Sequence, residues 1–341
     1  MPRFQQGGAM TRFKVYAMGA ALVDTEIRVD DTLLGALGVE KGLMTLVDEQ
    51  RRGELLGALD GHLVEASHAS GGSAGNSVIA TALFGGPCYM SCRVADDEDG
   101  RIYLRDLDAA GIRYPRPAGD GTPTGKCLVL VTPDAERSMN TFLGASEQLS
   151  TEQLDEEAIA RSDFLYLEGY LVTSDSGRAA AIRAREIAQA QGVPVALSFS
   201  DPGIVAHFRD GLEAMLGDGI DLLFSNDAEA LGWTGAASLD EAVAGLRRVA
   251  RRFAITRGGE GALLFDGQET QAIDAHRVEA VDSNGAGDMF AGAFLYALTR
   301  GETFATAGRF ASLAAGTVVS QWGPRLPREQ YAQLRDAFFG A

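Results

Sequence analysis

Residues 282–300 read DSNGAGDMFAGAFLYALTR. An acidic residue and a glycine-rich turn lead into a segment whose apolar residues Met289, Phe290, Phe294 and Leu298 fall on one helix face, which predicts a buried helix. Gly285, Ala286 and Gly287 carry little or no side chain, so an anionic ligand can approach the backbone and meet the unpaired N–H groups of the first helical turn. Asp288 follows in that turn, where the helix dipole is expected to favour its ionised form and lower its pKa. A charged carboxylate beside an anion hole suits a proton acceptor for a hydroxyl that attacks a phosphoryl group. As an isolated tetrad, GAGD also admits a carboxylate that only stabilises its own helix start, the lesser of the two readings.

On either side of this stretch, apolar strands alternate with helical patterns. FKVYAM (13–18) precedes a helix beginning near Gly75, and CYMSCRV (88–94) precedes GRIYLRDLDAAG (100–111). DFLYLEGYL, PVALSFS, DLLFSN and FAITR follow, separated by helices expected over 175–191, near 203–217 and after DLLFSN. Such alternation predicts an α/β fold with a mostly parallel sheet covered on both faces. It lapses over 24–66 and 112–145, where KCLVLVT (126–132) and RSMNTFL (137–143) follow each other as strands with no helix between them. The expected division is a large domain of residues 12–23, 67–111 and 146–341, a discontinuous small β lid of 24–66 and 112–145, and a disordered extension over 1–11.

The 341 residues are 46% hydrophobic, enough for a large core, and carry a formal charge of -17. That balance argues against nucleic acid or an anionic membrane as partner, since both need dense Lys and Arg. With no leader-like start and no apolar run of about 18 residues, a cytoplasmic protein is expected. Cys88, Cys92 and Cys127 are read as buried free thiols, and the four scattered histidines offer no zinc-ligand spacing.

Two signatures in the same order resemble the ribokinase/PfkB family of carbohydrate kinases. DSNGAGD is similar to that family's DTxGAGD, with Ser283 in the Thr position, and GGSAGNSVIATALFGG (71–86) is similar to its N-terminal glycine-rich segment. The resemblance implies a ribokinase-like three-layer α/β/α fold with a small β-sheet lid, and transfer of the γ-phosphoryl of ATP to a primary hydroxyl with Mg2+. Asp288 is then the base and the 285–287 backbone the anion hole. Gly71, Gly72, Ser73 and Asn76 bind substrate, although alone the glycines could simply permit unusual dihedrals before a helix. Asp24, just past the first strand, grips sugar hydroxyls by the same resemblance; Ala20 stands where the family often has Asn.

Asn226 and Glu229 in NDAEA resemble the family's NxxE element, which organises Mg2+ and phosphate through water; alone they are equally a helix cap with its third-position Glu. TRGGEGALLF (256–265) resembles a nucleotide loop with Thr256, Gly258 and Gly261, and also reads as a hairpin turn. GDGTPTGKC is not a P-loop, because Asp120 and Cys127 occupy positions that need Gly and Ser or Thr. TPTGKCLVLVTPDAERSMNTFLGAS (122–146) is similar to the adenosine kinase branch, which makes Arg137 a candidate to neutralise phosphoryl charge and Phe142 or Leu143 candidates to pack against a base. Adenosine is the expected acceptor. Inosine, guanosine, ribose or fructose are the enzymatic alternatives, and a nucleoside- or sugar-binding sensor is the non-enzymatic one. A monovalent cation such as K+ is compatible with the resemblance, and the lid edge leaves a homodimer open, since a partner strand can cap it.

Overall fold

The computed structural model describes residues 12–59, 67–117 and 121–340, so the expected extension 1–11 and lid residues 60–66 lie outside the described residues. The strands are β1 (Phe13–Met18), β2 (Leu22–Arg28), β3 (Met44–Leu46), β4 (Ser67–Gly71), β5 (Cys88–Ser91), β6 (Gly125–Val131) and β7 (Arg137–Phe142). They continue with β8 (Ser162–Glu168), β9 (Val195–Ser198), β10 (Ile220–Asn226), β11 (Ala250–Thr256), β12 (Ala262–Phe265) and β13 (Thr270–Ile273). Eight of them form one sheet in the order β13-β12-β11-β10-β9-β8-β1-β5, parallel from β11 to β5 with an antiparallel edge at β12 and β13.

The pleat divides that sheet into two dry faces, because successive side chains point to opposite sides. Val15 and Ala17 of β1, with Phe164 and Tyr166 of β8, pack on the side of helices Ser73–Leu83, Ala286–Thr299 and Phe304–Val319. Tyr16 and Met18, with Leu165 and Leu167, pack on the other side against helices Asp175–Ala190, Arg209–Leu216 and Leu239–Leu246. The three-layer α/β/α expectation is borne out. Cys88, Cys92 and Cys127 are free and buried, and among the described residues no helix is long and apolar enough to cross a membrane.

A second sheet has the order β3-β7-β6-β2-β4. Its alternation is equally clear: Leu128 and Leu130 of β6 pack with Ile27, Leu34 and Leu55, whereas Cys127, Val129 and Val131 face the other way, beside Leu22 and Met139. Three readings need correcting. Ser67–Gly71 belongs to this small sheet and not to the large domain, because it pairs antiparallel with β2 from Leu22↔Gly71 to Glu26↔Ser67, which also draws Leu22 and Val23 across the expected boundary. The small unit is not purely β, since helices Asp31–Ala36 and Glu49–Ala58, capped by Asp30 and Asp48, cover its outer face. The single helix near 203–217 is two, Pro202–His207 and Arg209–Leu216, broken at Phe208 with φ -124° and ψ 29°.

Lys126 lies in β6 and pairs with Asp99 at 2.7 Å, consistent with a lid strand and not a phosphate cradle. The two sheets join at Gly72, whose φ is 85° and whose added Cβ would stand 2.3 Å from Ala20 O. Gly72→Ala is therefore expected to cost at least about 2 kcal/mol through strain and a backbone clash, read as a lowered urea midpoint at unchanged m-value.

Candidate active site

Helix Ala286–Thr299 begins from Gly285, which has φ 72° and an added Cβ that would meet Pro324 O at 2.5 Å. Only glycine suits that position. Asp282 locks the turn, its Oδ1 accepting from Asn284 N (2.9 Å) and its Oδ2 from Gly323 N (2.9 Å). In the first turn Ala286 N donates to Ser283 O at 3.2 Å, so an anion would depend mainly on the neighbouring N–H groups. Asp288 accepts from Ser73 Oγ at 2.7 Å and from Asn76 Nδ2 at 3.0 Å, so the two signatures meet at this carboxylate.

The expectation that Asp288 is made more acidic is overturned. Burial raises its pKa, outweighing the Ser73 and Asn76 hydrogen bonds and the nearby Arg137 charge, all of which pull it down. A helix dipole contributes roughly 0.3–1 kcal/mol at an exposed terminus, which desolvation in a closed cleft exceeds.

Asp288 faces a cleft lined by Asp24, Gly72, Ser73, Asn76, Arg137, Glu168 and Asn284 on its polar side. Leu22, Met44, Leu46, Met139, Leu143 and Tyr170 form an apolar side. Asp24 is 6% exposed and Asn76 5%, yet Oδ1 of each has no partner within the protein. Two orphaned acceptors in one cleft fit a ligand with several hydroxyl donors. Burial, reinforced by the neighbouring Glu26, pushes Asp24 up to about 8. Gly71 does not line the cleft; a Cβ there would sit 2.0 Å from Asp24 Oδ1, so its part is to leave that carboxylate room.

Phe142 is also corrected. Arg137, Met139, Thr141 and Leu143 line the cleft at every second residue and Phe142 does not, so the pleat gives the apolar contact to Leu143.

A second cleft is lined by Thr256, Gly258 and Gly261, with Ala135, Glu136, His276, Ser283, Ala286, Gly287 and Gly316. The hairpin reading of 256–265 holds, since β11 and β12 pair antiparallel, and the turn between them borders this cleft. Asn226 and Glu229 line neither cleft. They make a reciprocal helix cap, Glu229 accepting from Asn226 N (2.9 Å) and Nδ2 (3.0 Å), and burial pushes Glu229 up to about 8.

Sequence reading missed Glu168, Tyr170 and Ser200. Glu168 is 0% exposed and accepts from Ala20 N (2.6 Å) and Ala74 N (2.7 Å), fastening the loop after β1 to the start of helix Ser73–Leu83. Its signal was a lone carboxylate ending the apolar run DFLYLE. Ser200, at φ 73°, accepts from Gly169 N and lines the cleft with Tyr170; nothing in its local sequence marks that strain.

Asp24, Glu168 and Glu229, at about 8, 7 and 8, hold protons in the folded state that ordinary carboxylates release near pH 4. The folded chain thus binds more protons than the unfolded one between about pH 4 and 8, and stability falls as pH rises through that window. The ligand-free melting temperature should drop from pH 5.5 to 8.5, with a shallower slope in Asp24→Asn; a melting temperature that rises over that range would contradict this.

Residues 47–330 match the pfkB family carbohydrate kinase model. Adenosine kinase of Schizophyllum commune is 28% identical over 93% of this chain and 97% of its own. The crystal structure of adenosine kinase from Sinorhizobium meliloti is 35% identical with a TM-score of 0.90, covering 95% of this chain and 98% of that one. A probable sugar kinase from Rhizobium etli CFN 42 is 34% identical with a TM-score of 0.91, covering 97% and 100%. The chain belongs to the pfkB carbohydrate kinase family, phosphotransferases with a hydroxyl acceptor, on its adenosine kinase-like side.

Proposed function

We propose that this protein transfers the γ-phosphoryl of ATP to the primary hydroxyl of adenosine, giving AMP and ADP. The observation that carries the reading is the sharing of one helical turn between the clefts: Asp288 faces the first, while Ala286 and Gly287 border the second. An acceptor and a donor held on either side would meet there. The apolar side of the first cleft favours a nucleoside over a free sugar, since a base would cover Leu22, Met139 and Leu143 and lie near the ring of Tyr170.

Asp24 and Asn76 hold the ribose hydroxyls with their orphaned oxygens, and Gly72 and Ser73 let the sugar approach. ATP lies along Thr256, Gly258 and Gly261, with its terminal phosphate on the N–H groups of 285–287. Asp288 takes the proton of the attacking hydroxyl, its raised pKa making it a better acceptor. Arg137 offsets charge on the moving phosphoryl group. Mg2+ would arrive on the ATP phosphates, and Glu229, which lines neither cleft, would reach it only through water. When bound, Mg2+ neutralises phosphate charge.

ADP release should be fastest with adenosine in a series with inosine, guanosine, ribose and fructose. Preference for ribose or fructose would move the assignment to a sugar kinase, and no ADP with any acceptor would favour a sensor. Asp288→Asn should bind both substrates while turning over roughly 10²- to 10⁴-fold more slowly, the usual worth of a general base. Near-normal turnover would remove Asp288 from the reaction.

A further inference from the structure

Where the clefts meet, one buried amide stands between opposite charges. Asn284 accepts on Oδ1 from Arg137 Nη1 at 2.8 Å and donates from Nδ2 to Glu26 Oε1. Arg137 opens β7 and Glu26 lies on β2, both in the small sheet. The backbone of Asn284 belongs to the turn that leads into helix Ala286–Thr299, anchored through Asp282. Ser283 Oγ adds a neighbouring stitch to Ala135 O at 2.7 Å, on the β6–β7 connection. Two strands of the lid are thus fastened to the segment that presents the anion-binding N–H groups.

The chemistry of residue 284 is narrowly set. A guanidinium needs an acceptor and a carboxylate needs a donor, and an amide offers both from one flat group. A carboxylate here would face Glu26 with like charge, and an alkyl group would leave both buried charged groups without this partner. The hydroxyl of a Ser is too short to replace the amide at both ends.

We propose that Asn284 is a positioning residue that makes lid closure and the aiming of Arg137 a single event. Glu26 fixes the amide, the amide fixes the guanidinium, and the guanidinium is held beside the path of the phosphoryl group only while the small sheet sits on the turn. This rests on the phosphoryl-transfer reading given above.

The test uses the full chain with Asn284→Asp, Asn284→Ser, Glu26→Gln and the double variant Asn284→Asp with Glu26→Gln. For each, kcat, the KM values for adenosine and ATP, ATP hydrolysis without acceptor, and the melting temperature are measured. Asn284→Asp should lower kcat about 10- to 100-fold, the cost of a misaimed group, with the adenosine KM within about threefold because Asp24 and Asn76 are untouched. Hydrolysis without acceptor should rise as a fraction of turnover, since the lid no longer seals.

In the double variant the new amide donates to the new carboxylate, which still accepts from Arg137. It should regain about tenfold in kcat over Asn284→Asp, a recovery that a purely structural role would not produce. Glu26→Gln alone keeps an acceptor for the Asn284 amide and should lose less than Asn284→Asp. Unchanged kcat in Asn284→Asp overturns the proposal. So does a double variant no faster than Asn284→Asp when both melt within about 3 °C of the parent. If Asn284→Asp does not fold, Asn284→Ser decides: a kcat loss with unchanged adenosine KM supports the latch, and normal kcat removes it. Asp288→Asn, run alongside, separates the failures, because near-normal turnover there overturns the transfer reading itself. Slow Asp288→Asn with normal Asn284→Asp overturns only the latch.

Discussion

The site depends on a backbone constraint, the left-handed conformation of Gly285 pressed against Pro324. It turns the chain so that the first turn of helix Ala286–Thr299 borders a cleft at Ala286 and Gly287. In a chain with a formal charge of -17, the proposed phosphate site would be such a neutral pocket in place of a field of basic side chains. Asp282 secures the conformation from beneath, with one oxygen on Asn284 N and the other on Gly323 N, so the anion hole and the segment around Pro324 are held by a single buried carboxylate.

Around that hole the protein concentrates acids that a stability-driven core would avoid. Asp24, Glu26 and Glu168 are buried, and Asp288 is desolvated enough to have its pKa raised. Burying a carboxylate is unfavourable unless donors surround it, and here the donors are unequally supplied. Glu168 has two backbone N–H groups and Asp288 has Ser73 and Asn76, but Asp24 Oδ1 and Asn76 Oδ1 have none. Under the proposed function the ligand hydroxyls would complete the network at this unsatisfied pair, so that local instability and binding capacity would be the same property there.

Local signals made the parallel strands, the helix after Gly285 and the meeting of GGSAGN with GAGD legible, because apolar runs and glycine spacing report directly on backbone geometry. What was not legible depends on partners distant in sequence. Ser67–Gly71 has little strand character and becomes one by pairing with β2. Phe142 and Leu143 look interchangeable until the pleat assigns Leu143 to the cleft. Asp288 carries a dipole signal in its own sequence, whereas the larger desolvation comes from a cleft assembled from segments remote in the chain. Asn226 and Glu229 show the reverse, since the plain capping interpretation describes their geometry completely.

The cleft that desolvates Asp288 is built partly from the small sheet, since Leu22, Met139 and Leu143 line it with Met44 and Leu46. Its desolvation is thus a property of the covered state. With those strands withdrawn, water would reach the carboxylate and return it toward the ordinary carboxylate range, making it a weaker base. In the proposed reaction one movement of apolar surface would perform two tasks: removing the water that competes as acceptor, and strengthening the group that receives the proton. A hydroxyl that fills the covered cleft would then meet a stronger base, with water kept out, than it would in a cleft left uncovered.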